Sequence, residues 1–227
     1  MCFFPSYTHL TKLVTMAAVS SSRASTHPLL TSPYLQPSSF VGQDIPEATL
    51  IEVPYTPALD DPRACAGPPR KIATREAFKG KKVVIISVPG SFTPTCHGAH
   101  IPDFLKHTQS FADKGYEVYV ISVNDAFVMS GWRSSLGGKD EIHFANDLDL
   151  GLSRALNATV DASKNNLGTR GTRYALIVDD LKIKGLDVSG RAGRGETDRL
   201  TDLLVRQIEQ SPGEVNVSSA HAVLQRL

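Results

Sequence analysis

Cysteine is scarce in this chain, and long hydrophobic runs are missing. The three cysteines, Cys2, Cys65 and Cys96, are too few for a disulfide scaffold, and no secretory signal pattern precedes them; a reducing compartment that leaves them free for chemistry is expected. No apolar stretch approaches the ~18–20 residues that cross a bilayer. Neither sign of charge dominates: 24 basic and 23 acidic side chains give a formal net charge of +1, so there is no electrostatic case for nucleic acid or a membrane surface. Aromatics are few, and Trp132 is the only tryptophan. With 41% hydrophobic residues among 227, the composition fits a soluble, globular chain with one sizeable core, or one domain and a tail.

Acid is absent altogether from the amino-terminal segment, where the first carboxylate is Asp44. That stretch carries Lys12 and Arg23, the run Ser20-Ser21-Ser22, and prolines at Pro28, Pro33 and Pro37. Without apolar periodicity, residues 1–41 are expected to be a disordered extension. An organellar transit peptide is the functional alternative, because such peptides are Ser-rich and acid-poor. Two basic residues are few for that role, and Pro5 interrupts an early amphipathic helix. Residues 42–227 are expected to form the folded domain.

Within that domain strands and helices alternate. Thr49 to Tyr55 predicts a strand, Asp60 to Pro69 a Pro/Gly-rich loop carrying Cys65, and Thr74 to Phe78 a short helix. Val83–Val88 is a buried-looking strand. A helix follows to about Asp113, with Pro102 expected to kink it. Then come a strand at Val118–Val123, a helix near Ala126–Leu136, a strand at Ile142–Ala145 and a helix at Leu150–Asn157. A long loop, Ala158–Gly171, precedes strands at Arg173–Val178 and Ile183–Val188, joined at Asp179-Asp180. Leu200, Leu203, Leu204 and Ile208 give a last helix one apolar face. The alternation argues an α/β sheet with both faces covered.

The informative stretch is Pro89-Gly90-Ser91-Phe92-Thr93-Pro94-Thr95-Cys96. Thr93-Pro94 reads as a helix N-cap followed by proline at the first helical position, where its missing N–H costs nothing. Cys96 then falls in the first turn, where unpaired N–H groups and the positive end of the helix dipole favour a thiolate. As a structural residue Cys96 is a small buried hydrophobe; as a functional one it is a nucleophile at the carboxyl end of a strand. Cys96, His97, His100 and His107 also invite a zinc reading, but His97 leaves the face that Cys96 and His100 share and no further pair completes four ligands. His100 reads as a structural hydrogen-bonding group near the pocket. Cys96-His97-Gly98-Ala99 lacks the second cysteine of a Cys-x-x-Cys reductase.

The run from Pro89 to Cys96, continuing to His100-Ile101-Pro102, resembles the peroxidatic motif of the peroxiredoxins, in the form used by the peroxiredoxin-5 branch. Further matches are Ile121-Ser122-Val123-Asn124-Asp125-Ala126-Phe127-Val128, Trp132, and Thr172-Arg173-Tyr174-Ala175-Leu176-Ile177-Val178. The resemblance covers roughly residues 42–227. It implies a thioredoxin fold with a central mixed sheet and helices on both faces. It further implies a thiol peroxidase that reduces hydrogen peroxide and alkyl hydroperoxides, is recycled by thioredoxin or glutaredoxin, works as a homodimer and uses no metal, haem or flavin.

Carried onto this sequence, the family pattern makes Cys96 the nucleophile that becomes a sulfenic acid. Thr93 is expected to hydrogen-bond the thiolate or the peroxide besides capping the helix, with Pro89 and Pro94 walling the pocket. Arg173, immediately before the aromatic residue of its motif, matches the active-site arginine, and Arg170 is expected at the surface. Trp132 belongs near the pocket entrance or dimer face by resemblance and to the core by residue type. Cys65 resembles the upstream resolving cysteine of a fungal alkyl-hydroperoxide-reductase branch, which bonds to the partner subunit. The alternatives are a one-cysteine peroxidase with Cys65 a bystander, a non-catalytic redox sensor of the same fold, and a Cys–His hydrolase for which only His100 speaks. A cytoplasmic location is expected, with a mitochondrial one as the alternative; Gln225-Arg226-Leu227 is a poor match to the peroxisomal Ser-Lys-Leu ending.

Overall fold

Four consecutive apolar residues, Val83, Val84, Ile85 and Ile86, have no solvent exposure, and they form the middle of a sheet covered on both faces. The structure, a computed structural model, describes residues 37–61, 63–188 and 218–227. The extension expected over 1–41 therefore lies almost wholly outside the described residues, as do Cys2 and the last helix expected around Leu200–Ile208.

The strands are β1 (Thr49–Glu52), β2 (Arg70–Ala73), β3 (Lys82–Ser87), β4 (Tyr116–Ser122), β5 (His143–Asp147), β6 (Thr159–Asp161), β7 (Thr169–Gly171), β8 (Tyr174–Asp179) and β9 (Lys182–Val188). Seven of them make one sheet in the order β2-β1-β5-β4-β3-β8-β9, while β6 and β7 pair separately. β3 runs parallel to β4, and β4 to β5. β8 joins β3 antiparallel, as β1 joins β5. The sheet is therefore mixed, as the resemblance implied, and the fold is thioredoxin-like.

Side chains alternate along β3 as the pleat demands. Val83 and Ile85 enter one apolar cluster with Leu50, Phe78, Leu152 and Leu156. Val84 and Ile86 enter the other, with Cys96, Phe104, Phe111, Met129 and Trp132. Helices α1 (Thr74–Ala77) and α5 (Gly151–Ala155) serve the first face. The second is covered by α2 (Ile101–Lys106), α3 (Thr108–Asp113), α4 (Ala126–Ser135) and the carboxy-terminal α6 (Ala220–Leu224). At the other margin, packing reaches back to Phe40, only 6% exposed in the first cluster.

Several local expectations need correction. The helix expected to run from the cysteine to Asp113 is in three pieces. A π-helical turn spans Cys96–His100, and the ladder breaks at His107 between α2 and α3 rather than at Pro102. The wide turn sits immediately before Pro102, so a ring without an N–H follows a stretch where the ordinary four-residue ladder is already interrupted. The loop expected over Ala158–Gly171 contains the β6–β7 ladder. The tight turn after β8 is Asp180-Leu181, not Asp179-Asp180; both residues have positive φ, 42° and 69°, the backbone twist that two-residue hairpins favour.

Candidate active site

The cysteine loop is held by partners far away in sequence. After β3, the Val88 N–H still donates to the Ile121 carbonyl at 3.0 Å. The Ser91 N–H then donates to Asn124 Oδ1 at 2.9 Å. Asn146 holds that stretch in turn, its Nδ2 donating to the carbonyls of Val123 (3.1 Å) and Asn124 (2.8 Å). Asp125 caps α4 by accepting from the N–H groups of Phe127 and Val128. The motif from Ile121 to Val128 thus anchors the loop and starts the helix that carries Trp132. Gly90 is needed at the tightest point, because a Cβ there would lie 3.2 Å from Arg170 Nη1 and 3.3 Å from Thr93 Cγ2.

The His97 N–H donates to the Thr93 carbonyl at 2.8 Å, which makes Thr93 the residue that caps the helix and Pro94 the first helical residue. Cys96 is then the third, among N–H groups that the helix itself leaves unpaired. The Thr93 hydroxyl donates to the Gly90 carbonyl at 2.9 Å, closing the turn from inside. Pro94 is exposed and Pro89 half-buried.

Cys96 is 1% exposed within the second apolar cluster. Arg173, only 6% exposed, points one guanidinium nitrogen at it: Nη2 lies 3.4 Å from Cys96 Sγ. The other nitrogen, Nη1, donates to His100 Nδ1 at 2.7 Å. His100 Nε2 lies 2.8 Å from the Ser218 carbonyl. A carbonyl only accepts and a guanidinium only donates. The ring is therefore the neutral tautomer with its hydrogen on Nε2, and Nδ1 receives the arginine. Burial and the Arg173 charge push the His100 pKa down to about 3, which keeps it neutral.

Arg173 is not in β8 but immediately precedes it, and it is a buried cation rather than the solvated end that an arginine before an apolar strand usually makes. Among the described residues no carboxylate pairs with it. A buried cation calls for an anion, and the sulfur in range is that of Cys96. The residue that follows Arg173, Tyr174, is tied through its hydroxyl into a buried polar cluster. The Tyr174 hydroxyl meets Ser153 Oγ at 3.2 Å, and Ser153 donates to Asp147 at 2.6 Å. Burial raises the pKa of both Tyr174 and Asp147, the latter against the pull of its Ser153 and backbone bonds.

Arg170 departs from expectation. It is half-buried, with Nη1 donating to the Pro89 carbonyl at 3.2 Å and Nε to that of Leu167 at 2.7 Å, so it ties the β6–β7 segment to the cysteine loop. Trp132 is fully buried and edge-on to Phe144, its Nε1 donating to His97 Nδ1 at 2.9 Å. Phe92, 53% exposed with φ of 58°, stacks on the His97 ring and also meets that of Trp132. His97 and His100 are thus engaged elsewhere, and no group of three potential metal ligands occurs among the described residues.

The structure does not bring Cys65 to this site. It is exposed, in the loop entering β2, and β2 runs in the same direction as β3. That loop meets the sheet at the amino-terminal end of its strand, whereas Cys96 follows the carboxyl end of β3. Four strand spacings, about 19 Å in all, also lie between the two strands. Of the residues singled out from the sequence, Cys96, Thr93 and Arg173 lie together here; Asn124 as an anchor, the bond from Arg170 and the Ser218 carbonyl were not among the expectations. Asn124 had a signal in its motif; the other two are contacts between distant segments.

A family model described as Redoxin matches residues 40–204. A putative peroxiredoxin of Malassezia furfur is 44% identical over 168 residues, covering 74% of this chain and 92% of that protein. Peroxiredoxin-2F, mitochondrial, of Arabidopsis thaliana is 34% identical over 150 residues, 66% of this chain and 65% of the relative. Among solved structures, reduced Prx3 of Vibrio vulnificus in complex with hydrogen peroxide superposes with a TM-score of 0.61 at 30% identity, covering 82% of this chain and 96% of that one.

Proposed function

From the premise that this chain belongs to the peroxiredoxins of the redoxin family and is a thiol peroxidase, we propose that Cys96 is its peroxidatic nucleophile and Arg173 the cation that aims it. The observation that carries this is one buried guanidinium bonded both to His100 and, at 3.4 Å, to Cys96 Sγ. In the proposed step the thiolate attacks one peroxide oxygen and the O–O bond breaks. Cys96 becomes a sulfenic acid, and the leaving oxygen takes a proton to depart as water or an alcohol. Arg173 stabilises the charge that moves from sulfur to oxygen, and Thr93 and Pro89 shape the entrance. Hydrogen peroxide and alkyl hydroperoxides are the proposed substrates; hydrogen peroxide has support from the similar Vibrio vulnificus protein described with it.

Cys65 of a partner chain is the proposed resolving thiol. Its condensation with the sulfenic acid gives a disulfide and releases water, and a dithiol such as thioredoxin or glutaredoxin then reduces that bond. Entry of the Cys65 loop from the far end of the sheet supports pairing between chains over pairing within one. A homodimer follows from the resemblance and suits two exposed apolar rings, Phe92 and Phe127 (53% and 55%). The one-cysteine alternative has its own support in the same separation of Cys65 from Cys96. A cytoplasmic location is the reading from sequence, and similarity to a relative named mitochondrial supports the alternative. Among the described residues no helix is long and apolar enough to cross a membrane.

Cys96→Ser tests the nucleophile. Serine keeps the shape but has no ionised form at neutral pH, so peroxide consumption in a thioredoxin-coupled assay should vanish. Retention of more than a few per cent of the wild-type rate would overturn the assignment.

A further inference from the structure

We propose that His100 is a positioning residue for peroxide reduction, clamped by the Ser218 carbonyl, so that the carboxy-terminal segment 218–227 sets the aim of Arg173 on Cys96. The proposal rests on the reading of Cys96 as the nucleophile and adds a control that neither the motif nor the family match assigns.

Three links carry it: Ser218 carbonyl to His100 Nε2 at 2.8 Å, His100 Nδ1 to Arg173 Nη1 at 2.7 Å, and Arg173 Nη2 to Cys96 Sγ at 3.4 Å. The first link fixes the second. With its one ring hydrogen committed to the Ser218 carbonyl, His100 presents a bare Nδ1 to the guanidinium. A hydrogen on Nδ1 would meet an N–H of Arg173 head-on, and a protonated ring would add charge repulsion. Arginine is a planar fork, so fixing one of its nitrogens on a rigid ring fixes the direction of the other.

The segment that supplies the carbonyl is docked on the same helical run. Ala220 and Val223 are fully buried in the cluster that contains Cys96, Ile101 and Phe104. The Ala220 N–H donates to Asp103 Oδ2 at 3.1 Å, and Arg226 pairs with Asp187 on β9. Arg173 approaches His100 from the start of β8, Cys96 and Asp103 flank it on its own helical run, and Phe104 stands edge-on to it. From the tail comes the Ser218 carbonyl, the tail's His221 being exposed and bonded to Gln225. Among the described residues the ring thus meets one cation and no carboxylate bond, and it stays neutral while the tail shields it. Released from the tail, it would regain an ordinary histidine titration and lose its grip on Arg173.

The test uses full-length protein and the second-order rate constant for hydrogen peroxide, with iodoacetamide alkylation of Cys96 as a parallel measure of plain thiol access. His100→Leu removes both ring nitrogens and should slow the peroxide reaction about tenfold or more while slowing alkylation far less. His100→Asn offers a carboxamide oxygen to Arg173 and should recover part of that loss. Val223→Asp puts a charge into the tail's buried face; it should release the tail to carboxypeptidase, slow the reaction comparably, and add a fall in rate below about pH 6.5 that wild type lacks. His100→Leu within about twofold of wild type, or a released tail with unchanged rate and pH profile, would overturn the proposal. If Val223→Asp does not fold, the Leu and Asn variants decide alone. Should Cys96→Ser still turn over, the nucleophile assignment fails; should only the His100 variants be silent, the nucleophile stands and the positioning role falls.

Discussion

Replacing Arg173 by lysine should slow peroxide reduction by about tenfold to a hundredfold. Arg173 is 6% exposed, and its guanidinium makes two directed contacts, to His100 Nδ1 at 2.7 Å and to Cys96 Sγ at 3.4 Å. An ammonium gathers its donors at one point and does not reproduce the planar fork that reaches both acceptors, and in this buried setting it cannot turn to water instead. A hydrogen bond to a charged group is worth roughly 1.5–3 kcal/mol, and each ~1.4 kcal/mol is a factor of ten in rate. Arg170→Lys is the control. Arg170 bonds two neutral carbonyls, at 3.2 and 2.7 Å, and lysine can keep one, so a loss of about threefold or less is expected. Stopped-flow fluorescence suits the measurement, because Trp132 is the only tryptophan and donates to His97, the neighbour of Cys96. If Arg170→Lys is the slower variant, or Arg173→Lys stays within about twofold of wild type, the guanidinium does not act as the geometry implies.

Other outcomes can be checked alongside. Cys65→Ser should keep the first reaction with peroxide but lose any disulfide-linked dimer on a non-reducing gel, with Cys96 then passing to sulfinic acid by mass; normal thioredoxin-dependent turnover of that variant would make Cys65 a bystander. His100 contributes a pH dependence of stability, since its pKa is about 3 when folded against an ordinary 6.5. Between these values the unfolded chain binds a proton that the native state refuses, so stability is complete above about pH 6.5 and is lost as pH falls, by up to ~1.4 kcal/mol per pH unit. Urea unfolding should show about 2 kcal/mol of that loss between about pH 6.5 and 5, and His100→Asn should flatten it; equal slopes would refute the assignment. Gly171→Ala would set a Cβ 2.9 Å from Ser87 Oγ and 3.0 Å from Ser153 Oγ, and a destabilisation of about 1–3 kcal/mol is expected from overpacking, visible as a lowered melting temperature.

Much of the sheet was legible because its signals are local. β3 is an unbroken apolar run ended by Pro89-Gly90, and the acidic pair Asp179-Asp180 marks where β8 gives way to β9, within a residue of the true turn. Where the sequence misled, two signals competed. Pro102 marks a kink by rule, yet the π-helical turn over Cys96–His100 comes just before it, and the visible break moved to His107. The β6–β7 ladder is three residues a side, too short for any alternation to stand out. Leu181 hid the turn after β8, since a leucine with φ of 69° does not look like a turn residue and is tolerated where it packs on the first apolar cluster.

The site divides along the same line. Cys96 and Thr93 could be read because strand, turn, cap and cysteine are consecutive and each constrains the next. Arg173 could be placed only through resemblance, because an arginine before an apolar strand is usually solvated, and nothing nearby in sequence says that a thiol lies across from it. Its counterpart His100 is 73 residues away, and the carbonyl that fixes His100 is 118 residues beyond it. Such contacts depend on where β8 enters the sheet beside β3 and on which helical run the chain's last turn covers. Sequence patterns report the faces of elements, not which faces meet. The proposed nucleophile therefore belongs to the local code of the chain, whereas the aim proposed for the cation beside it belongs to the topology.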